Sequence, residues 1–191
     1  MPVSGPNRHV NQRICRPQKR IRPTFNKLNR RLWSPQHRLV CDVRLWHRLV
    51  RALRQRSDGR RESGAFLLGD IDGEVRTITS FVMYDDIDPH ALDSGYVHID
   101  GCHMGRLWAL CREQGVSVVA DIHTHPGGYG QSETDRQNPM VAVRGHIGII
   151  VPEFAVRTVS RQNLGIYVYQ GAHKWDEVGE RRNRKFMYIG L

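Results

Sequence analysis

The chain has 191 residues, of which 39% are hydrophobic and 25% are charged, and its formal net charge is +10 at pH 7. This composition is typical of a soluble globular protein, and the sequence contains no apolar run of the length that a membrane-spanning helix needs. The four cysteines form no C-x-x-C pair and are too few for a disulfide framework, so we expect reduced thiols in a cytoplasmic protein. The N-terminal segment lacks the apolar region of a secretory signal.

The positive charge is concentrated at the N-terminus. Residues 1–35 contain nine Lys or Arg and no Asp or Glu, so the other 156 residues together carry only +1. We therefore predict a basic, disordered tail over 1–35, a domain over 36–176 and a basic C-terminal extension over 177–191. Two interpretations of the tail stay open: a solvated leader without a specific function, or a segment that contacts an acidic partner such as nucleic acid.

From residue 37 onward, the hydrophobic pattern changes between the periods of strands and helices. The predicted strands are residues 37–42, 65–69, 75–84, 96–100, 116–125, 146–152, 154–160 and 164–171. The predicted helices are residues 43–56, with Asp42 as N-cap, residues 101–114, ended by Gly115, and residues 132–138, ended by Pro139. This order predicts one α/β domain in which helices flank a mixed central sheet.

Residues that carry chemistry are concentrated in the segment DIHTHPGGYGQSETD, residues 121–135. Side chains two apart on a strand point the same way, so His123 and His125 project together from the end of a strand. The glycine-rich loop lets the backbone fold the next helix back over them, and that helix begins with Ser132 and Asp135. Two histidines and one carboxylate leave a fourth position for water, which is the pattern of a catalytic zinc site.

A purely structural interpretation of this segment is the alternative. Ser-x-x-Asp at a helix start is also a capping arrangement, and two histidines at a strand end can be polar rim residues. Capping and metal binding are compatible, so Ser132 can do both. Three other metal families do not fit: metallo-β-lactamases need H-x-H-x-D-H where this chain has glycines, amidohydrolases need a long barrel after the histidines, and nucleobase deaminases need H-x-E and P-C-x-x-C.

The remaining pattern, H-x-H-P followed by S-x-x-D, resembles the JAMM (MPN-plus, JAB) zinc metalloproteases in their prokaryotic single-domain form. Six residues separate His125 from Ser132, one fewer than in the commonest form of the motif. The family also has a distant Glu in a stretch like E-x-G-G-x-L-L-G, and ESGAFLLG at 62–69 nominates Glu62. The resemblance covers about residues 37–175.

The resemblance implies a role for each matching residue. His123, His125 and Asp135 resemble the three protein ligands of one Zn²⁺ ion. Ser132 resembles the serine that stabilises the developing oxyanion, and Glu62 resembles the general base. The implied fold is cytidine-deaminase-like. The implied reaction is cleavage after the C-terminal glycine of a ubiquitin-like protein, with that modifier and ubiquitin-activating-like or ubiquitin-conjugating-like enzymes of the same operon as partners.

Three further residues are predicted to contact the substrate. Tyr129 lies in the glycine-rich loop, where it either touches the substrate or only covers the site. Asp85 and Asp86 belong to an acidic loop, residues 85–94, which we expect to meet a cationic tail of the modifier. Two other functions stay open: a non-catalytic MPN module that scaffolds partners, and a DNA-associated protein of the RadC type, which shares H-x-H-P.

Overall fold

An eight-stranded mixed sheet forms the centre of the computed structural model, which describes residues 37–190. The strands are β1 (Leu39–Asp42), β2 (Gly64–Asp72), β3 (Val75–Met83), β4 (Ser117–Thr124), β5 (Ile147–Val151), β6 (Gly165–Gly171), β7 (Lys174–Glu177) and β8 (Met187–Gly190). Their order across the sheet is β7-β6-β5-β4-β2-β3-β1-β8. The pairs β1–β3, β1–β8 and β4–β5 are parallel, and the other neighbours are antiparallel. The predicted tail, residues 1–35, lies outside the described residues.

Helices cover both faces of this sheet. They are α1 (Val43–Ser57), α2 (Tyr84–Ile87), α3 (Met104–Gln114), α4 (Glu133–Gln137) and α5 (Glu180–Phe186), and none of them is long and apolar enough to cross a membrane. Neighbouring residues of β2 point to opposite faces. Ala65 belongs to the buried cluster that contains α1, whereas Phe66 belongs to the cluster that contains α2 and α3. The prediction of an α/β fold with a mixed sheet flanked by helices is confirmed.

Two helix ends follow the local chemistry that the sequence predicts. The Asp42 carboxylate accepts hydrogen bonds from the backbone N–H groups of Arg44 (2.9 Å) and Leu45 (3.0 Å), so Asp42 is the N-cap of α1. Gly115 ends α3 with φ 64°, a left-handed conformation that glycine adopts without steric cost. These caps fix where each helix begins or ends relative to the sheet.

The pairing of β2 with β4 brings distant parts of the sequence together. The two strands are antiparallel and Gly64 lies opposite His123, so the start of β2 is beside the end of β4. The backbone N–H of Ser63 donates to Thr124 Oγ1 (3.0 Å), and the N–H of Thr124 donates to the Ser63 carbonyl (2.8 Å). Glu62 immediately precedes this contact, and it is therefore held next to the two histidines of β4.

A β-bulge interrupts β4 in its first half. Leu67 of β2 lies opposite Ala120, but the next residue of β2 lies opposite Val118. Val119 is therefore the extra residue, and its carbonyl accepts a hydrogen bond from Arg76 Nη1 at 2.9 Å. The bulge thus orients a backbone acceptor towards a cationic side chain of β3.

Residues 96–100, predicted as a strand, form no strand in the structure. The backbone N–H of Val97 donates to the Glu62 carboxylate (3.1 Å), and that of His98 donates to the Ala91 carbonyl (3.0 Å). Because these donors are already bonded outside a sheet, the segment is extended without a partner strand. Its apolar residues pack against the cluster around α3, which explains the alternating pattern.

Residues 154–160, also predicted as a strand, form a 3₁₀ turn at Glu153–Ala155 and then irregular backbone. Phe154 and Ala155 have φ values of 53° and 57°, and a strand cannot continue through this left-handed conformation. Ala155 is buried, so the apolar pattern of this segment arises from packing against the sheet. The backbone N–H of Phe154 donates to the His125 carbonyl (2.8 Å).

The predicted domain end at residue 176 is wrong. Helix α5 and strand β8 follow it, and β8 pairs in parallel with β1, with Leu39 opposite Met187. Phe186 and Met187 are buried in the same cluster as α1. Residues 177–190 are therefore part of the fold and not an extension of it.

Candidate metal centre

Three ligand-type side chains meet at the end of β4. Nε2 of His123 lies 3.0 Å from Nε2 of His125, and the Asp135 carboxylate lies 3.5 Å from the first nitrogen and 3.1 Å from the second. Both histidines are buried, and the side chain of Asp135 is only 16% exposed. Within residues 37–190, this trio is the group of His, Cys, Asp or Glu side chains close enough to hold one metal ion.

Helix α4 holds Asp135 over the histidines through a reciprocal cap. Ser132 Oγ accepts a hydrogen bond from the Asp135 backbone N–H (3.1 Å), while the Asp135 carboxylate accepts from the Ser132 N–H (2.8 Å) and hydroxyl (2.7 Å). The sheet anchors this helix, because Trp175 Nε1 of β7 donates to the Arg136 carbonyl (3.2 Å) and Tyr167 of β6 accepts from the Gln131 N–H (3.2 Å). The contacts that cap α4 therefore also orient the Asp135 carboxylate towards the histidines.

Glu62 lies beside the trio but is not part of it. Its Oε1 is 3.9 Å from Nε2 of His125, and its Oε2 accepts a hydrogen bond from the Val97 N–H. The backbone N–H of Glu62 donates to the Gly95 carbonyl (2.9 Å), so both ends of the residue are held by the extended segment that follows the acidic loop. The side chain is 15% exposed, and its Oε1 is the carboxylate oxygen next to His125.

The charges of the trio depend on one another. Burial is the largest influence on His123 and disfavours its imidazolium form, but the hydrogen bond with Asp135 and the negative charges of Asp135, Asp121 and Glu62 together outweigh it and raise the pKa of His123. Burial is likewise the largest influence on Asp135 and disfavours its carboxylate form, but the hydrogen bonds from His123, His125 and Ser132, together with the charge of His123, hold the pKa of Asp135 well below its usual range. The buried Asp135 carboxylate therefore stabilises positive charge next to it.

This donor set fits a divalent metal ion. In tetrahedral coordination with metal–ligand distances of ~2.0–2.1 Å, two ligand atoms are about 3.4 Å apart. The separations of 3.0, 3.1 and 3.5 Å lie around that value. Two imidazoles and one carboxylate are also the ligand types found in catalytic zinc sites, which use three protein ligands and leave one position open. Any such ion would be held by His123, His125 and Asp135.

A buried network behind the trio is absent from the sequence-based predictions. Asp121 accepts a hydrogen bond from the Tyr84 hydroxyl (2.9 Å) with one oxygen, and its other oxygen lies 2.5 Å from Nε2 of His146. The three residues are at most 3% exposed, and burial raises the pKa of Tyr84 further above its usual value. Asp121 precedes His123 by two positions on the strand, so the spacing D-x-H-x-H is the signal that places it on the same side.

The three predicted substrate contacts are engaged within the chain. The Tyr129 hydroxyl donates to the Glu180 carboxylate of α5, so this ring is tied to the C-terminal helix. Asp85 and Asp86 both pair with the Arg56 guanidinium near the end of α1, at 3.1 Å for Asp86. These pairs explain the acidic loop as part of the fold, and a role of the three residues in substrate binding stays a prediction.

Comparisons with known proteins indicate the family of this chain. The family of prokaryotic homologues of the JAB domain matches residues 42–164, which include all five predicted catalytic and metal-binding residues. The "Probable metalloprotease y4jG" of Sinorhizobium fredii (strain NBRC 101917 / NGR234) is 27% identical over 86 residues, 45% of this chain and 53% of that protein. The chain thus spans about half the length of that curated relative.

The fold is similar to a solved structure as well. The solution structure of protein DSY2949 from Desulfitobacterium hafniense matches with a TM-score of 0.59 over 79% of this chain and 92% of that one. Its sequence identity is 14%, so this likeness concerns the fold alone. The match over residues 42–164, together with the arrangement of the trio, Glu62 and Ser132, leads to one conclusion: the chain belongs to the family of prokaryotic homologues of the JAB domain.

Proposed function

We propose that this protein is a zinc-dependent metallopeptidase that cleaves the bond after the C-terminal glycine of a ubiquitin-like modifier. The observation that carries the proposal is the position of Glu62. Its carboxylate lies beside the donor trio, 3.9 Å from His125 Nε2, yet it is not one of the three donors. A carboxylate next to a metal centre but outside its ligand set is placed to accept and return a proton.

The chemistry follows from the residues around the trio. When bound, zinc lowers the pKa of water towards ~7 and polarises a carbonyl group. Glu62 accepts a proton from the attacking water as the water oxygen bonds to the carbonyl carbon, the amide C–N bond then breaks, and Glu62 returns the proton to the leaving amine. The Val97 N–H holds Oε2 of Glu62, so Oε1 is the atom that exchanges the proton.

Ser132 has a second role in the proposed reaction. Its exposed hydroxyl donates to the Asp135 carboxylate in the structure, and it can turn to the carbonyl oxygen of the substrate as negative charge develops there. A donor of this kind typically contributes ~2.7–4 kcal/mol to transition-state stabilisation. The rigid cap around α4 keeps this hydroxyl within reach of the metal ligands.

The substrate class is proposed from the resemblance to JAMM enzymes, which rests on HTHPGGYGQSETD and ESGAFLLG. The same resemblance suggests ubiquitin-activating-like and ubiquitin-conjugating-like enzymes as partners of the pathway. A non-catalytic scaffold is the alternative, but it does not require Glu62 and Ser132 beside an intact donor trio. The complete set of side chains therefore favours catalysis.

The test uses the full chain and a ubiquitin-like protein joined through its C-terminal glycine to a lysine side chain. We expect cleavage after that glycine, measured by mass spectrometry, with loss of activity after chelation and recovery with added zinc. A conjugate whose last glycine is replaced by valine serves as the matched control and should resist cleavage. Zinc-loaded protein that binds conjugates without cleaving any of them would contradict the proposal and support the scaffold.

A further inference from the structure

A second cavity lies at the other end of the sheet from the metal centre. Its volume is about 530 Å³, which is within the range of small-molecule sites, ~300–1,000 Å³. Its lining includes Ser117, where β4 begins, whereas the trio lies where β4 ends. Ser117 and His123 are six positions apart on the strand, a distance of about 20 Å at ~3.3 Å per residue. The cavity is therefore distinct from the metal centre.

One part of the cavity wall is apolar and open to solvent. Trp108 of α3 and Val143 of the loop before β5 line it with 38% and 63% of their surfaces exposed, and Ile71 at the end of β2 is 50% exposed. Cys111 and Val141 continue the apolar surface inwards and are buried. Exposed aromatic and aliphatic side chains around a concave site are typical of ligand-binding surfaces.

The other part of the wall is cationic. Arg76, Arg112 and Arg144 line the cavity, and no Asp or Glu is among its described lining residues. None of the three forms an ion pair with a carboxylate of residues 37–190. In an otherwise nearly neutral domain, three guanidinium groups without acidic partners beside apolar side chains create a local excess of positive charge.

Arg76 shows that this charge is built into the fold. Its guanidinium donates to the carbonyls of Val119 (2.9 Å), the bulge residue of β4, and Gly145 (2.6 Å). These neutral acceptors orient the side chain without cancelling its charge. Burial and the neighbouring Arg38 lower the pKa of Arg76, so the environment disfavours a further cation and favours an anion.

We infer that this cavity, the arginine pocket, binds a small organic anion whose apolar body packs against Trp108 and Val143 and whose phosphate or carboxylate group is bound by Arg76, Arg112 and Arg144. Guanidinium groups bind both oxyanions through paired N–H donors. An acidic segment of another protein is an outcome of the test below.

The experiment titrates the full chain with the fluorescent aromatic sulfonate 1-anilinonaphthalene-8-sulfonate. We expect saturable binding that weakens about tenfold in Arg112→Gln and in Arg144→Gln, since each removes one charge-assisted contact. Arg51→Gln, an exposed arginine on α1, is the matched control and should bind as the wild type does. In NMR spectra the indole N–H signal of Trp108 should shift during the titration. The variant Trp108→Phe identifies this signal among those of the four tryptophans.

Competition identifies the chemistry of the ligand. Phenyl phosphate and phenylacetate should displace the probe, whereas benzyl alcohol should not. The anion that displaces the probe at the lower concentration indicates which oxyanion the pocket prefers. The inference is overturned if the two arginine variants bind the probe as tightly as Arg51→Gln does, or if Trp108 does not respond. It is also overturned if only an acidic polypeptide, and neither small anion, displaces the probe.

Discussion

The two ends of β4 use charge in opposite ways. At its carboxyl end, His123 and His125 meet the Asp135 carboxylate, and each charge has a partner within 3.5 Å. At its amino end, three arginines line a cavity without an acidic partner among the described residues. The first arrangement fixes the three side chains by mutual contacts, whereas the second has no acidic partner for its charge within residues 37–190. One strand thus carries a centre suited to chemistry and a pocket suited to recognition.

The two regions are joined by the buried pair Asp121–His146. Asp121 lines a second, smaller cavity that is also lined by His123 and Asp135, and His146 lines the arginine pocket. Their side chains are 2.5 Å apart, so the pair bridges β4 and the loop before β5 behind both sites. We therefore expect three kinds of variant. The first kind lowers turnover but keeps the fold, the second destabilises the Asp121–His146 pair behind both sites, and the third affects neither site.

The largest expected effect is at Glu62. Glu62→Gln should retain zinc, fold and substrate binding but lower turnover by ~10²–10⁴-fold, because general-base catalysis contributes that amount. His123→Ala should lose metal and activity together, because it removes one of three ligands. Metal content and conjugate cleavage are measured side by side, with Glu74→Gln in the exposed β2–β3 turn as the control. Cleavage at the wild-type rate by Glu62→Gln would assign the base to another residue.

A somewhat smaller loss is expected for Ser132→Ala. Removal of the hydroxyl should lower turnover by ~10²–10³-fold, and loss of the helix cap should cost ~1 kcal/mol of unfolding free energy. Ser160 forms the same kind of reciprocal cap with Asn163 in a 3₁₀ turn. Ser160→Ala therefore controls for capping, and it should lose stability without losing activity. Equal turnover of both variants would limit Ser132 to a structural role.

The buried pair should matter for stability more than for either site alone. Asp121→Ala should lower the unfolding free energy by ~3 kcal/mol, because it leaves His146 buried without its partner. The double variant Asp121→Ala, His146→Ala should cost less than the sum of the two single variants, as measured in a double-mutant cycle by urea unfolding. Asp93→Asn, which removes the exposed partner of His90, should leave the urea midpoint unchanged. Additive costs would show that the pair does not act as a unit.

The smallest effect is expected from deletion of residues 1–35. Turnover of a small peptide substrate and binding of the anionic probe should both stay nearly unchanged, because every site residue lies between 62 and 146. Binding to nucleic acid, if it is present in the full chain, should fall and lose its salt dependence. A folded but inactive truncated protein would show that the predicted tail belongs to the domain.

Most of the metal centre could be predicted from sequence because its spacing is local. His123, His125, Ser132 and Asp135 lie within thirteen residues, and strand and helix geometry determine which of them share a side. Glu62 could be predicted only because ESGAFLLG resembles a motif of the family, since no local rule links residue 62 to residue 125. The structure explains that link by the antiparallel pairing of β2 with β4.

The parts that escaped prediction depend on contacts between distant segments. Tyr84 and His146 reach Asp121 from separate elements, and the arginine pocket is assembled from β3, α3 and the loop before β5. The prediction of a strand over residues 154–160 failed for a different reason, because alternating hydrophobicity does not reveal a left-handed backbone at Phe154. Strand β8 has only four residues, MYIG, which is too short for an alternating pattern to be recognised.

The parallel pairing of β1 with β8 has a consequence for the nascent chain. Leu39 pairs with Met187, which the ribosome adds 148 residues later. At ~5–20 residues per second, β1 waits roughly 7–30 s with one edge unpaired. An unpaired strand edge is a template for association with other chains. We therefore expect polysome-bound chains to aggregate more readily than released ones.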